Sequence, residues 1–121
     1  MTTMTPTFKQ ITSGLRFPEG PVAMPDGSIM LVEIERRTLS RVTTDGKIHV
    51  VATLGGGPNG AAMGPGGKIY VTNNGGLKFL ERPGRLFPVA QADDYRAAAS
   101  RWSIQRQASS TRSTTRVTGS S

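Results

Sequence analysis

The chain has 121 residues, of which 36% are hydrophobic and 6% aromatic, so it is long enough for one small domain with a limited core. It contains no cysteine, which excludes disulfide frameworks and thiolate metal chemistry, and no apolar run approaches the ~20 residues of a transmembrane helix. The net charge of +7 is uneven, because residues 1–95 hold ten basic and eight acidic residues (10 − 8 = +2) and residues 96–121 hold five arginines and no acid (+5).

Short strands separated by tight turns follow one another along the first half of the chain. Residues 1–7 have neither the basic region nor the apolar run of a signal peptide, so we expect a soluble, cytoplasmic protein. Short apolar and alternating runs bounded by Pro-Asp-Gly and Asp-Gly turns then predict strands near residues 21–24, 28–33, 38–42 and 47–53. Four antiparallel strands within about forty residues are typical of one blade of a β-propeller.

A repeat with an offset of forty residues relates this unit to the next one. Residues 18–29 align with residues 58–69, and the coinciding positions are Pro18/Pro58, Gly20/Gly60, Pro25/Pro65, Gly27/Gly67 and Ile29/Ile69. The second unit fades after residues 73–76. We therefore predict an all-β fold over residues 8–95, a partial β-propeller of about two four-stranded antiparallel blades.

Glu19 and Asn59 occupy the same place in the two repeats. The first strand of each propeller blade lines the central channel, so equivalent residues at the start of that strand converge. A carboxylate and an amide oxygen brought together in this way suit a hard cation such as Ca²⁺ or Mg²⁺. Spacing alone leaves the alternative open, in which Glu19 is an ordinary turn acid and Asn59 belongs to an Asn-Gly turn.

Other signals have ordinary structural explanations. The run Gly55–Gly60 satisfies the letters G-x-G-x-x-G, but a dinucleotide site needs a helix there, and Pro58 lies inside the run. His49 is expected to be a half-exposed sheet residue, since it has no second histidine or cysteine to join it. A cluster of charged residues is expected to form a solvated hairpin end: Glu33, Glu35, Arg36 and Arg37.

Several of these motifs together resemble one known family. The segments Leu15–Pro21, 25–27, Gly57–Gly60 and Gly66–Asn73 are similar to the first two blades of the senescence marker protein/gluconolactonase family. Members of that family are six-bladed propeller hydrolases of sugar and related lactones. The resemblance covers about residues 8–95, and its Phe-Pro-Glu-Gly-Pro run is the most specific part.

The resemblance implies roles for the two matched residues. Glu19 matches the family's first-blade metal ligand, and Asn59 matches an asparagine that faces the same cavity and contacts substrate or metal-bound water. Some members place a substrate-binding arginine two residues before that asparagine, where this chain has Gly57. This chain therefore has no arginine at the position that matches the family's substrate-binding arginine.

The resemblance also implies a cofactor and a substrate. The cofactor would be a divalent metal, Ca²⁺ in the first place with Zn²⁺, Mn²⁺ and Mg²⁺ as alternatives, and the substrate a small-molecule lactone; neither a membrane nor nucleic acid is expected. The family's other ligands, an asparagine and an aspartate that is also the candidate base, belong to later blades that this chain lacks. We therefore assign no catalytic residue and interpret the chain as the N-terminal fragment of a metal-dependent lactonase-like hydrolase, inactive alone.

The composition changes abruptly at Arg96. Residues 96–121 contain seven Ser, four Thr, five Arg and four Ala, which cannot bury a core, so we predict a disordered C-terminal tail. The tail is interpreted as a basic binding segment, as inert, or as out-of-frame sequence. A one-nucleotide shift lets residues 97–100 encode Gly-Gly-Arg-Ile and residues 113–119 encode Leu-Tyr-Asp-Ala-Cys-Asp-Gly, similar to the family's next strands. The alternative function is a non-enzymatic β module whose basic tail binds nucleic acid or an acidic partner.

Overall fold

The computed structural model describes residues 4–96 in full and the backbone of residues 101–106 and 115–120. The chain is all-β, and its strands are β1 (Pro18–Ala23), β2 (Ile29–Glu33), β3 (Thr38–Val42), β4 (Ile48–Thr53), β5 (Pro58–Met63), β6 (Lys68–Asn73), β7 (Leu77–Arg82), β8 (Arg85–Gln91), β9 (Arg101–Arg106) and β10 (Thr115–Ser120). Within these ranges the helical structure is a single 3₁₀ turn, Pro65–Gly67. No helix in the described part of the chain is long and apolar enough to span a membrane.

The first sheet is the four-stranded unit that the sequence predicts. Its strand order is β1-β2-β3-β4, and all neighbouring strands are antiparallel. The turn before β2 is fixed by Asp26, whose Oδ1 accepts the N–H of Ser28 at 2.9 Å. His49 lies on β4 and is exposed, so its assignment to a sheet is confirmed.

The second sheet has the order β10-β9-β6-β5, and its strands β5 and β6 repeat β1 and β2 at an offset of forty residues. The pairing of Pro18 with Glu33 recurs between Pro58 and Asn73. At the other end of the strands, the Ala23–Ile29 pair recurs as the pair Met63–Ile69. The sequence repeat is therefore a repeat of strand register.

A separate hairpin lies between the second and third strands of this sheet in chain order. Strands β7 and β8 pair with each other and form a sheet of their own, whereas β6 pairs with β9. The buried Gly75 and Gly76, at φ of 92° and 116°, turn the chain out of β6. The chain returns through hydrogen bonds from the Ala92 N–H to the Gly76 carbonyl and from the Arg96 N–H to the Gly75 carbonyl.

Two strands lie within the segment 96–121. Residues 101–106 and 115–120 form β9 and β10, which complete the second four-stranded sheet. Trp102 and Ile104 alternate with polar residues, a two-residue period typical of strands, and the open edge of β6 provides the backbone partner. The rest of the predicted tail lies outside the described residues: 97–100, 107–114 and 121.

The core lies between the two four-stranded sheets. It is formed by side chains of β2, β3, β4, the residue after β4, and β6: Met30, Val32, Leu39, Ala52, Leu54, Ile69 and Val71. Val22 and Ala61, on the first strand of each sheet, pack against its border. This packing brings β1 and β5, which are edge strands within their own sheets, next to each other.

Candidate functional site

The two first strands are in close contact at Gly20. A Cβ atom on Gly20 would lie 2.6 Å from the backbone nitrogen of Ala61 and 3.0 Å from the Cα of Gly60. Gly20 also has a φ of 58°, in the left-handed region that side-chain-bearing residues rarely adopt. Glycine is therefore required here on two counts, and Glu19 and Asn59 each immediately precede this point of contact.

Both candidate site residues lie at or beside a β-bulge. On β1 the register with β2 shifts between Glu19 and Val22, and on β5 the register with β6 shifts between Pro58 and Gly60, so that Asn59 is the residue without a strand partner. A bulge bends its strand and changes the direction of a side chain, and bulges are frequent beside active sites. The structure thus places Asn59 within a bulge, and Glu19, which pairs with Val32, immediately before one, on strands that contact each other.

The side chains of these residues are accessible. Glu19 is exposed, and its carboxylate makes no hydrogen bond or ion pair with residues 4–96. Asn59 is also exposed, and its Oδ1 accepts a hydrogen bond of 2.9 Å from the Thr72 hydroxyl. Thr72 therefore orients the Asn59 amide, while one lone pair of Oδ1 remains for another partner.

The two oxygens are of the type that a hard divalent cation binds, but such a cation needs more ligands than two. Ca²⁺ takes about six to eight oxygen ligands, which carboxylates and amide carbonyls provide. The described residues contain no group of three or more His, Cys, Asp or Glu that could hold a metal ion. Glu19 and Asn59 can accordingly supply part of a coordination shell.

A buried carboxylate lies behind the start of β1. The side chain of Glu33 is 0% exposed, and its Oε1 accepts hydrogen bonds from the Arg16 N–H at 2.8 Å and from Arg36 Nε at 2.9 Å. Its Oε2 accepts hydrogen bonds from the hydroxyls of Ser40 and Thr38. Burial raises the pKa of Glu33, but the hydrogen bonds from Ser40, Arg16 and Arg36 outweigh it and hold the pKa below its ordinary value.

This arrangement corrects the prediction of a solvated hairpin end. Glu33 is in the core, whereas Arg36, three residues further on, is exposed. The burial of Glu33 could have been predicted from its position at the end of an otherwise apolar strand, forty residues before Asn73. An acid within such a run needs buried hydrogen-bond donors.

Asn73 has the equivalent position in the second sheet. Its Oδ1 accepts hydrogen bonds from the N–H groups of Gly57 at 2.8 Å and Gly75 at 2.9 Å, and its Nδ2 donates to the Gly55 carbonyl at 3.0 Å. A Cβ atom on Gly56 would overlap the Asn73 amide. Gly56 therefore makes room for this amide. A strand rather than a helix follows the glycines, in agreement with the rejection of a dinucleotide site from the sequence.

Arg16 connects the first sheet to the β7–β8 hairpin. Its guanidinium binds the Glu35 carboxylate at 2.8 and 2.9 Å and the Glu81 carboxylate at 2.7 and 3.2 Å. These hydrogen bonds hold the pKa values of Glu35 and Glu81 below their ordinary range and raise the pKa of Arg16. A surface cavity of about 350 Å³ opens beside Arg16, and its lining does not include Glu19 or Asn59.

Comparison with known proteins identifies the family. The family model described as "SMP-30/Gluconolactonase/LRE-like region" matches residues 17–109, most of the chain, beginning at the motif that contains Glu19. A search of curated proteins found no match. The match covers strands β1 to β9. The chain therefore belongs to the SMP-30/gluconolactonase/LRE-like family, and its four-stranded sheets are blades of that family's β-propeller.

Proposed function

We propose that this chain contributes the first two blades of a metal-dependent centre that hydrolyses a sugar lactone or a related lactone. Glu19 would be a ligand of the divalent metal, Ca²⁺ in the first place, and Asn59 would contact the substrate. The observation that carries the proposal is that Glu19 and Asn59, both exposed, lie at or beside bulges on two strands that touch at the next residue of each. Membership of a lactonase-like family supports the substrate class.

The residues of the chain have separate tasks in this proposal. A bound divalent cation polarises the lactone carbonyl and lowers the pKa of water. Glu19 contributes a negative charge and an oxygen donor that no residue of 4–96 occupies. Asn59, oriented by Thr72, offers an amide that hydrogen-bonds a substrate oxygen.

The small number of ligands determines what the chain does by itself. With two oxygen donors out of the six to eight that Ca²⁺ prefers, we expect weak metal binding and no hydrolysis of a lactone above the rate in buffer. The catalytic base and the remaining ligands would come from later blades, as the family resemblance implies. Metal binding is accordingly the property that tests Glu19 directly.

Titration with Mn²⁺, followed by loss of the electron paramagnetic resonance signal of the free ion, measures this binding. We expect Glu19→Gln to abolish the binding and Asn59→Ala to weaken it, because each removes an oxygen or its orientation. Asp93→Asn is the matched control, since the Asp93 side chain is 92% exposed and pairs with Lys78 on β7. Equal Mn²⁺ binding by the wild type and Glu19→Gln would overturn the proposal.

A lactone hydrolysis assay of the same variants tests the expected inactivity. We expect the wild-type chain with added Ca²⁺, Zn²⁺ or Mn²⁺ to match the buffer rate. Hydrolysis by the wild type that disappears in Glu19→Ala would show that the described donors suffice and would contradict this expectation.

A further inference from the structure

We propose that Glu33 and Asn73 are paired positioning residues, which fix the bulged starts of β1 and β5 and thereby aim Glu19 and Asn59. This inference rests on the proposed function of Glu19 and Asn59. It concerns two side chains that lie behind the site and contact neither metal nor substrate in that proposal.

The two residues are equivalent by strand register. Glu33 is the last residue of β2 and pairs with Pro18, and Asn73 is the last residue of β6 and pairs with Pro58. The backbone around them repeats as well. The N–H of Ile34 donates to the Phe17 carbonyl at 3.0 Å. Forty residues on, the N–H of Asn74 donates to the Gly57 carbonyl at 2.8 Å.

Each first strand begins with a proline, and the neighbouring side chain acts just upstream of it. Pro18 and Pro58 have no N–H of their own. A side-chain oxygen from the neighbouring strand binds an N–H one or two residues before the proline: Glu33 Oε1 accepts from Arg16, and Asn73 Oδ1 accepts from Gly57, both at 2.8 Å.

The difference in side-chain length accounts for which N–H is bound in each repeat. The repeat equivalent of Gly57 is Phe17, yet the glutamate binds Arg16, one residue earlier. Glutamate has one more methylene than asparagine and reaches one residue further along the chain. In both blades a side-chain oxygen therefore accepts a backbone N–H just before the first strand, although the two residue types differ.

Each of the two side chains is itself held in place. Glu33 is fixed by Ser40, Thr38 and Arg36, so its orientation is set by several donors. The N–H groups that Glu33 and Asn73 bind lie close to the site residues along the chain. Arg16 is three residues before Glu19, and Gly57 is two residues before Asn59. A buried acid is a costly way to gain stability alone, because apolar replacements are often neutral or better. Positioning gives Glu33 a separate role.

The test combines hydrogen exchange with Mn²⁺ affinity. In Glu33→Ala we expect faster exchange of the Arg16 amide and Mn²⁺ binding about tenfold weaker, the size of effect that outer-shell partners have on metal sites. Glu33→Gln keeps an acceptor for the Arg16 N–H, while the hydroxyl of Ser40 can rotate to accept. It should therefore restore most of both properties.

The second blade provides an independent pair of variants. Asn73→Ala removes the acceptor for the Gly57 N–H, and Asn73→Asp keeps it, so exchange of the Gly57 amide should rise in the first and much less in the second. If Glu33→Ala fails to fold, this pair decides the question. Unchanged Mn²⁺ affinity in Asn73→Ala or Glu33→Ala, with stability alone reduced, would show a purely structural role and overturn the inference.

The two proposals fail in different ways. Absence of Glu19-dependent Mn²⁺ binding in the wild type would contradict the proposed function. The exchange rates of the Arg16 and Gly57 amides would still show whether Glu33 and Asn73 hold the starts of the two strands. Unaltered amide exchange in both Glu33→Ala and Asn73→Ala would overturn the positioning inference, whether or not the chain binds Mn²⁺.

Discussion

At the scale of single residues, Gly20 determines how closely the two blades approach. It combines a positive φ with a backbone contact to β5, and neither the strand nor the neighbouring blade can adapt easily to a side chain there. The sequence indicates Gly20 through its repeat with Gly60. The reason for the glycine, a contact between blades, becomes visible only when β1 and β5 are placed side by side.

Replacement of Gly20 by alanine should be more damaging than a matched replacement at Gly84. Both glycines have positive φ, 58° and 72°, so each variant carries the left-handed penalty of about 1–2 kcal/mol. A Cβ on Gly84 meets no atom within 4 Å, whereas one on Gly20 overlaps Ala61. We expect Gly20→Ala to lower the free energy of unfolding by about 1–3 kcal/mol more than Gly84→Ala. Urea denaturation measures the difference, and equal losses would contradict the close approach.

Glu33 should make stability depend on pH in the acid range. Its pKa is below the ordinary value of 4.5, so the ionised form stabilises the fold fully above about pH 4.5, and this contribution is lost as the pH falls through the lower folded-state pKa. Glu33→Gln does not titrate at this position. The stability difference between wild type and variant should therefore shrink between pH 6 and pH 3 in denaturation experiments. A constant difference would mean that folding does not lower the pKa of Glu33.

At the scale of elements, the β7–β8 hairpin is attached to the first blade through two neighbouring residues. Arg16 binds Glu81, and the ring of Phe17 lies 5.1 Å from the ring of Phe79 at an angle of 52°. Aromatic pairs in such tilted arrangements contribute about 0.5–1.5 kcal/mol beyond the burial of their area. The motif that begins β1 thus also holds the hairpin.

Phe79→Ala should loosen the hairpin without unfolding the blade. Leu80→Ala is the matched control, because Leu80 is the next residue on the same strand, its side chain points to the opposite face, and it is 43% exposed. We expect hydrogen exchange of residues 77–91 to accelerate in Phe79→Ala and to change little in Leu80→Ala, while β2 and β3 stay protected. Acceleration of equal size in both variants would show that the ring contact does not anchor the hairpin.

The strands differ in how well the sequence predicts them. Those of the first blade follow from Pro-Asp-Gly and Asp-Gly turns, which specify tight connections locally. The β7–β8 hairpin is harder to predict, because the forty-residue offset from β3 and β4 indicates outer strands of the second blade. At Gly75 and Gly76 the chain instead turns into the separate β7–β8 hairpin, and β9 pairs with β6.

The site is likewise predictable in part. Glu19 and Asn59 follow from the repeat, and the structure adds their bulges and the contact between their strands. Glu33 and Asn73 were missed because their partners, the N–H groups of Arg16 and Gly57, lie 16 or 17 residues upstream. Such contacts depend on register between strands, which spacing in one strand does not reveal.

At the scale of the whole molecule, two blades share one core through β2, β3 and β6, and this packing places the first strands next to each other. Most of the net charge of +7 belongs to residues 96–121, and the segment that holds both site residues is nearly neutral. The net positive charge of the whole chain therefore does not describe the charge around the site.

The most direct test of this account is a cross-link between the two site positions, which is simple because the chain has no cysteine. We predict that the double variant Glu19→Cys/Asn59→Cys reacts with a short bismaleimide to give an intramolecular cross-link. The control Glu19→Cys/Thr53→Cys, whose second cysteine is on β4 at the far edge of the first sheet, about 14 Å away across three strand spacings, should not. Equal yields in the two double variants, or no cross-link between positions 19 and 59, would contradict the meeting of the two blades at this edge.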